Sequence, residues 1–134
     1  MAPAPAAAHD TRLHILLIED DEALRYALAR YLRARGLRVT EAATGELGLD
    51  ADRHDPADLV LLDVMLPTGT GVDVALALKA RRPAMPIVAV TGRAIDLTWD
   101  WPSLVLAKPI GPLSLYAAMQ PLLHALRANL PPAA

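Results

Sequence analysis

The chain has 134 residues, of which 54% are hydrophobic and 21% are charged, and its formal net charge is -2. This length fits one globular domain, and the composition argues against a disordered or fibrous chain. A weakly acidic chain lacks the basic surface of a nucleic-acid-binding domain, and the absence of cysteine excludes disulfides, thiolate catalysis and cysteine-type zinc sites.

The two ends of the chain, residues 1–12 and 129–134, are predicted to be loose tails around a single domain at 13–128. The first tail lacks the basic and leucine-rich regions of a secretory signal. No apolar run approaches the roughly 20 residues that a membrane span needs. We therefore expect a soluble, cytoplasmic protein with neither a membrane nor nucleic acid as a direct partner.

From residue 13 onward, short apolar runs alternate with segments of helical period. In chain order the predicted elements are a strand at 13–18, a helix at 21–36, a strand at 37–42, a weak helix at 45–54, a strand at 58–63, a helix at 71–82, strands at 86–91 and 104–107, and a helix at 112–128. Gly36 stands where a glycine ends a helix. Three strands are apolar on consecutive positions, which is typical of a parallel sheet covered on both faces. The pattern predicts an α/β layered fold.

Two segments depart from this regular alternation. Between Thr91 and Leu104, where a helix is expected, the sequence "GRAIDLTWDWPS" has no amphipathic period. Pro121 lies inside the last helical segment, where it is predicted to kink or divide the helix because it removes a backbone hydrogen bond.

Polar side chains gather at the predicted carboxyl ends of the strands, where open parallel sheets carry their functional groups. These side chains are Glu19, Asp20 and Asp21 after the first strand, Asp63 after the third, Thr91 after the fourth and Lys108 after the fifth. Clustered carboxylates repel one another unless a cation lies between them, and oxygen ligands open to water suit Mg²⁺. Asp63 would then be free to act as a nucleophile toward phosphorus, giving an aspartyl phosphate.

At this point the sequence resembles the receiver domains of two-component response regulators. The matching segments are "ILLIEDDEALR" (15–25), "LVLLDVMLPTGTGVDV" (59–74), "IVAVTG" (87–92) and "LVLAKPI" (104–110). The resemblance implies a flavodoxin-like fold with five parallel strands in the order 2-1-3-4-5. It also implies a cytoplasmic signalling domain that takes a phosphoryl group from a histidine kinase or a phosphotransfer protein and acts on a further protein partner.

The resemblance also implies a role for each residue of the site. Mg²⁺ would be held by Glu19, Asp20, Asp63 and the backbone carbonyl of Met65, with Asp63 as phosphoacceptor, Thr91 as the switch hydroxyl and Lys108 as the ion-pairing lysine. The peptide before Pro109 is expected to be cis. Simpler interpretations exist for some residues: Asp21 is better explained as an N-cap, and Asp63 could be a turn cap. The four histidines, His9, His14, His54 and His124, are predicted to be surface or boundary residues, and five arginines, Arg25, Arg30, Arg33, Arg35 and Arg38, to form a solvated basic face.

The sequence departs from the family pattern near its fourth helix. Receivers commonly carry an aromatic residue where this chain has Val105, and the interval from Thr91 to Lys108 is shorter than usual. The fourth helix is therefore predicted to be shortened or replaced by a loop, as in an atypical subgroup of receivers that often stand alone. Trp99 and Trp101 are expected to cover the apolar surface left by that helix; the alternative is that one of them anchors a partner.

Three functions compete at this stage. The first is a stand-alone receiver that is not an enzyme but catalyses its own phosphorylation and a slow dephosphorylation, since Met65 and Arg93 lie near the path of an attacking water and an apolar methionine cannot orient it. The second is a phosphatase of the haloacid dehalogenase type, which needs a second aspartate where Met65 stands. The third is a receiver-like module that binds partners without being phosphorylated.

Overall fold

The computed structural model describes residues 11–66, 71–92 and 98–130, which contain five strands and four helices. In chain order these are β1 (His14–Ile18), α1 (Glu22–Ala34), β2 (Arg38–Ala42), α2 (Gly45–His54), β3 (Leu59–Asp63), α3 (Gly71–Arg81), β4 (Ile87–Thr91), β5 (Leu104–Ala107) and α4 (Pro112–Ala128). Every predicted element is present, with small shifts at its ends. The predictions for most of both tails and for Arg93 lie outside the described residues.

The five strands form one parallel sheet in the order β2-β1-β3-β4-β5, as predicted. The register pairs Asp63 with Val90, so that Thr91 lies one residue beyond the level of Asp63. On the outer side, Thr91 pairs with Ala107, directly before Lys108. The carboxyl ends of β1, β3, β4 and β5 therefore meet at one edge, which brings the predicted site residues into one neighbourhood.

The two faces of the sheet are covered by different helices because successive side chains of a strand point to opposite sides. Ile15 and Leu17 of β1 pack in a cluster with buried residues of α1 and α4. Leu16 and Ile18 belong to a second cluster with residues of α3 and with Trp101. Burial on both faces explains why β1, β3 and β4 are apolar at nearly every position.

Helix α1 is capped at both ends by residues next to it in the sequence. The Asp21 side chain accepts a hydrogen bond from the Leu24 amide at 3.0 Å, which confirms Asp21 as the N-cap. At the other end Gly36 has a φ of 85°, a conformation that costs glycine little. The amides of Gly36 and Leu37 donate to the carbonyls of Arg33 and Leu32, the two bonds of a Schellman motif.

Pro121 was predicted to kink or divide the last helix, and the division is wrong, since α4 runs without interruption from Pro112 to Ala128. Pro121 and Ala117 are both exposed, so water can reach the Ala117 carbonyl that a residue-121 amide would have bonded. The opposite face carries the buried residues Leu115, Met119 and Leu123. Packing of that face outweighs the single lost hydrogen bond.

The connection from β4 to β5 has no helix in its described part, residues 92 and 98–103, in agreement with the expected shortening or loss. Trp101 is only 3% exposed and belongs to the cluster on the α2 and α3 face. Trp99 packs on the same cluster from its edge, with the two ring centroids 5.4 Å apart. Trp101 is therefore a core residue, and the role of partner anchor stays a prediction for Trp99 alone.

The predicted solvated basic face is confirmed for the exposed Arg30, Arg33 and Arg35 and wrong for Arg25 and Arg38, which are partly buried. Several of the five arginines also have partners within the fold. Arg33 donates to Glu41 at 3.1 Å and to the Val39 carbonyl at 2.8 Å, and Arg38 forms an ion pair with Asp55. Arg25 also bonds within the fold. The acidic partners lie on β2 and after α2, so a helical pattern read along α1 could not reveal them.

His14 is likewise not a surface residue, because it is buried at the start of β1. Its two ring nitrogens lie 3.0 Å from the Pro56 carbonyl oxygen and 2.7 Å from the Thr40 hydroxyl oxygen. These contacts tie β1 to β2 and to the segment before β3. Within the described residues, no helix has the length and apolar character that crossing a membrane would require.

Candidate functional site

Two buried carboxylates and one lysine form the centre of the site. Asp63 ends β3 and is 4% exposed, and Glu19 follows β1 and is 3% exposed. The Lys108 ammonium donates to Glu19 Oε1 at 2.8 Å and to Asp63 Oδ2 at 3.2 Å. The other Asp63 oxygen, Oδ1, accepts from the Met65 amide at 2.9 Å. The charge that ends this apolar strand is thus compensated from the end of β5, on the far side of β4.

The backbone around Glu19 is fixed by its neighbours. Its amide donates to the Ala42 carbonyl at the end of β2, at 3.0 Å. Its Oε2 accepts from the Asp21 amide at 3.2 Å, in the turn that leads into α1. After β5, the Lys108 amide donates to the Thr91 carbonyl at 2.8 Å, and the Lys108–Pro109 peptide is cis as expected. Backbone hydrogen bonds between adjacent strands therefore continue one residue beyond β1 and β5, and they fix the positions of Glu19 and Lys108.

The three acidic residues predicted to hold a metal lie together. Glu19, Asp20 and Asp63 each offer a carboxylate oxygen, and these oxygens lie within 4.8 Å of one another. Asp20 is exposed, whereas the other two are buried. Close, hard oxygen donors at a site open to solvent are the ligands that Mg²⁺ prefers. The donor set of this site therefore fits that ion.

The ionisation of the central groups is strongly interdependent. Burial raises the pKa of Glu19 to about 7, and the neighbouring Asp63 carboxylate adds to the rise. Although burial would raise it, the pKa of Asp63 lies below its usual value because the Met65 amide, Glu19 and Lys108 all stabilise the charged form. Burial opposes the charge of Lys108 too, but its hydrogen bond to Glu19 and both carboxylate charges raise its pKa. Near neutral pH, Asp63 and Lys108 are both charged.

A cavity of about 470 Å³ opens above these groups. It is lined by residues at or just after the ends of four strands: Glu19, Asp20, Asp21, Asp63, Met65, Gly92 and Lys108. The Met65 side chain is 45% exposed at this cavity. Thr91 is buried at the end of β4 and is not among the lining residues. The structure therefore brings Glu19, Asp20, Asp63, Met65 and Lys108 together and places Thr91 at the adjacent strand end.

Gly71, the first residue of α3, supports the turn after Asp63 and was not singled out from the sequence. A Cβ added there would lie 2.6 Å from Val64 Cα and 2.7 Å from the Asp63 carbonyl oxygen. Its amide donates to the Val64 carbonyl at 2.9 Å. The glycine therefore lets the start of α3 pass directly against the backbone that carries the acceptor aspartate.

Replacing Gly71 with alanine is expected to reduce the free energy of unfolding by roughly 1–3 kcal/mol, because the added methyl group meets backbone atoms that have no room to move. Urea denaturation measures the loss. Gly111, at the N-cap of α4, has nothing within 4 Å of a built Cβ and is the matched control. Gly111→Ala should cost no more than about 1 kcal/mol, the loss expected when alanine replaces glycine at an N-cap without a steric clash. Equal losses in the two variants would contradict the role given to Gly71.

Comparison with known proteins gives a consistent result. A model of the response regulator receiver domain matches residues 15–98. Over 83 residues, or 62% of this chain, the sequence is 45% identical to the transcriptional regulatory protein AfsQ1 of Streptomyces coelicolor and 40% identical to the sensory transduction protein RegX3 of Mycolicibacterium smegmatis. These matches span 36% of each relative, so the chain corresponds to about a third of their length.

The fold leads to the same family. A CheY-like receiver domain from Methanospirillum hungatei superposes with a TM-score of 0.79 and 26% identity, covering 87% of this chain and 98% of that one. A second CheY-like receiver domain, from Methylobacillus flagellatus, gives a TM-score of 0.73 and 26% identity, covering 86% of this chain and 98% of the other. On the family match, the shared fold and the carboxylate–lysine centre, this chain belongs to the response regulator receiver domains.

Proposed function

We propose that this domain accepts a phosphoryl group on Asp63 from a phosphohistidine of a histidine kinase or phosphotransfer protein, and that it signals through protein contacts or onward phosphotransfer. One observation carries the proposal. The Asp63 carboxylate lies at the edge of an open cavity, hydrogen-bonded to Lys108 and within 4.8 Å of carboxylate oxygens of Glu19 and Asp20.

In this mechanism an Asp63 oxygen attacks phosphorus, so that an O–P bond forms while the N–P bond of the phosphohistidine breaks. The released imidazole takes up a proton. Glu19, Asp20, Asp63 and the Met65 carbonyl would hold Mg²⁺, which when bound neutralises charge on the phosphoryl oxygens. The Lys108 ammonium supplies a second positive charge. The Thr91 hydroxyl, at the next strand end, is assigned to the phosphoryl group as the switch contact.

Phosphoryl acceptance is tested by incubating the protein with Mg²⁺ and a small phosphodonor, and separately with beryllofluoride. We expect one added phosphoryl group by mass spectrometry and, with beryllofluoride, NMR shifts around the cavity. Asp63→Asn should abolish both. No modification of the wild-type protein, or a modification that survives in Asp63→Asn, would favour the phosphorylation-independent module. The alternative of a phosphatase of the haloacid dehalogenase type is not supported, because that class needs a second aspartate at the position where this chain has Met65.

The phosphorylated domain is expected to lose its phosphoryl group slowly, with a half-life longer than seconds. The half-exposed Met65 side chain borders the cavity and has no group that orients an attacking water. Met65→Asn, which adds a polar group there, should speed hydrolysis roughly tenfold. Leu76→Asn is the control, since Leu76 is similarly exposed on α3 but does not line the cavity. The decay of phosphoprotein, followed by mass spectrometry, gives the three rates; a half-life of seconds for the wild type would refute the prediction.

A further inference from the structure

We infer that Arg25 is a positioning residue for the cation site, because its guanidinium fixes the peptide that joins Glu19 to Asp20. The inference rests on the proposed function for the identity of the cation. Arg25 lies on the first turns of α1 and touches none of the metal-ligating oxygens assigned above. Its effect is on the backbone that presents them.

Arg25 joins three parts of the fold through its guanidinium. Nη1 donates to the Glu19 carbonyl oxygen at 2.9 Å, and Nε lies 3.5 Å from Glu41 Oε1 on β2. The side chain is 17% exposed, so these contacts are largely shielded from water. A charged donor shielded in this way forms a stronger hydrogen bond than a neutral donor in water. Arg25 on α1 therefore fixes the Glu19 carbonyl, and the ion pair with Glu41 on β2 fixes the Arg25 side chain in turn.

This contact completes the restraint on Glu19. Its amide is already bonded to Ala42, and its side chain is bonded to Lys108 and to the Asp21 amide. The carbonyl is the remaining polar group of Glu19. It belongs to the peptide between Glu19 and Asp20, so its orientation determines the position of the Asp20 Cα. Asp20 is exposed and unlike Glu19 is not packed in place. The position of its carboxylate in the acidic cluster thus depends on the peptide that Arg25 holds.

Arg33 offers a matched control on the same helix. It also pairs with Glu41, and it also donates to a backbone carbonyl, that of Val39 at 2.8 Å. The two arginines therefore share residue type, helix and acidic partner. They differ in which carbonyl they hold, because Val39 is the second residue of β2 and does not lie in the turn that joins Glu19 to Asp20. Arg25 is 17% exposed and Arg33 is 48% exposed, so the loss of Arg25 should cost more stability than the loss of Arg33. Only the loss of Arg25 should affect the site.

The first test is Mg²⁺ titration of the wild type, Arg25→Gln and Arg33→Gln by calorimetry, with unfolding by urea measured in parallel. We expect Arg25→Gln to weaken Mg²⁺ binding about tenfold, which corresponds to about 1.4 kcal/mol, and Arg33→Gln to leave it within about twofold of the wild type. Arg25→Met, which keeps the aliphatic stem, replaces Arg25→Gln if that variant does not fold. Equal affinities in the two variants would overturn the inference.

The second test needs no metal. In the metal-free protein, Arg25→Gln should shift the NMR signals of the Asp20 and Asp21 amides and speed their hydrogen exchange, whereas Arg33→Gln should leave both unchanged. A wild-type protein that binds no Mg²⁺ would refute the proposed cation site, and the amide signals would still decide the role of Arg25. Unchanged Asp20 and Asp21 amides in Arg25→Gln would show that this arginine does not position the segment.

Discussion

Replacing Trp101 with alanine is expected to lower the free energy of unfolding by about 3–5 kcal/mol, as for other large aromatic residues removed from a core. Trp101 is almost fully buried, and it packs in the cluster that joins α3 to the sheet. The described part of the β4–β5 connection has no helix that could move in to fill the space. The cavity would therefore stay open, which keeps the cost at the upper end of such substitutions. Urea denaturation, monitored by circular dichroism, measures the loss.

Two further variants make this prediction specific. Trp99→Ala should cost less than half as much, because Trp99 lies at the edge of the cluster and is only partly buried. Trp101→Phe should also cost much less than Trp101→Ala: the buried indole Nε1 has no hydrogen-bond partner, so its removal leaves no polar group unsatisfied. A Trp101→Ala protein as stable as the wild type would show that the connection repacks. A Trp99→Ala protein of normal stability that binds a partner poorly would instead support the anchor hypothesis for Trp99.

The predicted loss has a structural cause that extends beyond one residue. A parallel sheet must be covered on both faces, and β4 is buried along its whole length. The half-buried Val105 of β5 packs on the same cluster as Trp101, at the position where receivers commonly carry an aromatic residue. Two tryptophans in a short connection thus supply some of the apolar area that a helix and an aromatic strand residue supply in other receivers. This arrangement couples the shape of the connection to the core.

The strands and the strand-end residues could be predicted because local patterns determine both. Continuous apolar runs are specific to strands buried on both sides, and each run stops where the sheet stops. A charged residue at that point, such as Asp63 or Lys108, must lie at the edge, and parallel strands bring such edges together. The N-cap at Asp21 and the left-handed Gly36 follow from equally local rules.

The residues that were missed or misjudged depend on contacts between distant parts of the chain. Arg25 looks like one more charge on an exposed helix until Glu19 and Glu41 are placed beside it. Gly71 matters because of its distance to the backbone after Asp63, which no sequence period encodes. Pro121 was judged by its local effect alone, whereas the buried opposite face of α4 keeps the helix continuous through it. In each case a tertiary contact outweighed the local preference.

Replacing Lys108 with methionine is expected to lower the free energy of unfolding by roughly 2–4 kcal/mol in the absence of Mg²⁺, because it leaves buried carboxylates without their counter-charge. In the wild type one ammonium bonds to both Glu19 and Asp63. Methionine has a similar length and is apolar, so the change removes charge and hydrogen bonds while keeping most of the packing. Urea denaturation at fixed pH and ionic strength measures the effect.

Lys79 is the matched control for this substitution, since it is the other lysine of the chain and lies on α3 away from the cavity. Its ammonium donates to the carbonyl of the exposed Pro83, at 3.3 Å. Lys79→Met should therefore change the stability by less than about 0.5 kcal/mol. Adding Mg²⁺ should restore part of the loss in Lys108→Met, because a bound cation would stabilise the same two carboxylates. A Lys108→Met protein as stable as Lys79→Met without Mg²⁺ would show that these carboxylates do not depend on the lysine, and that their charge is compensated in another way.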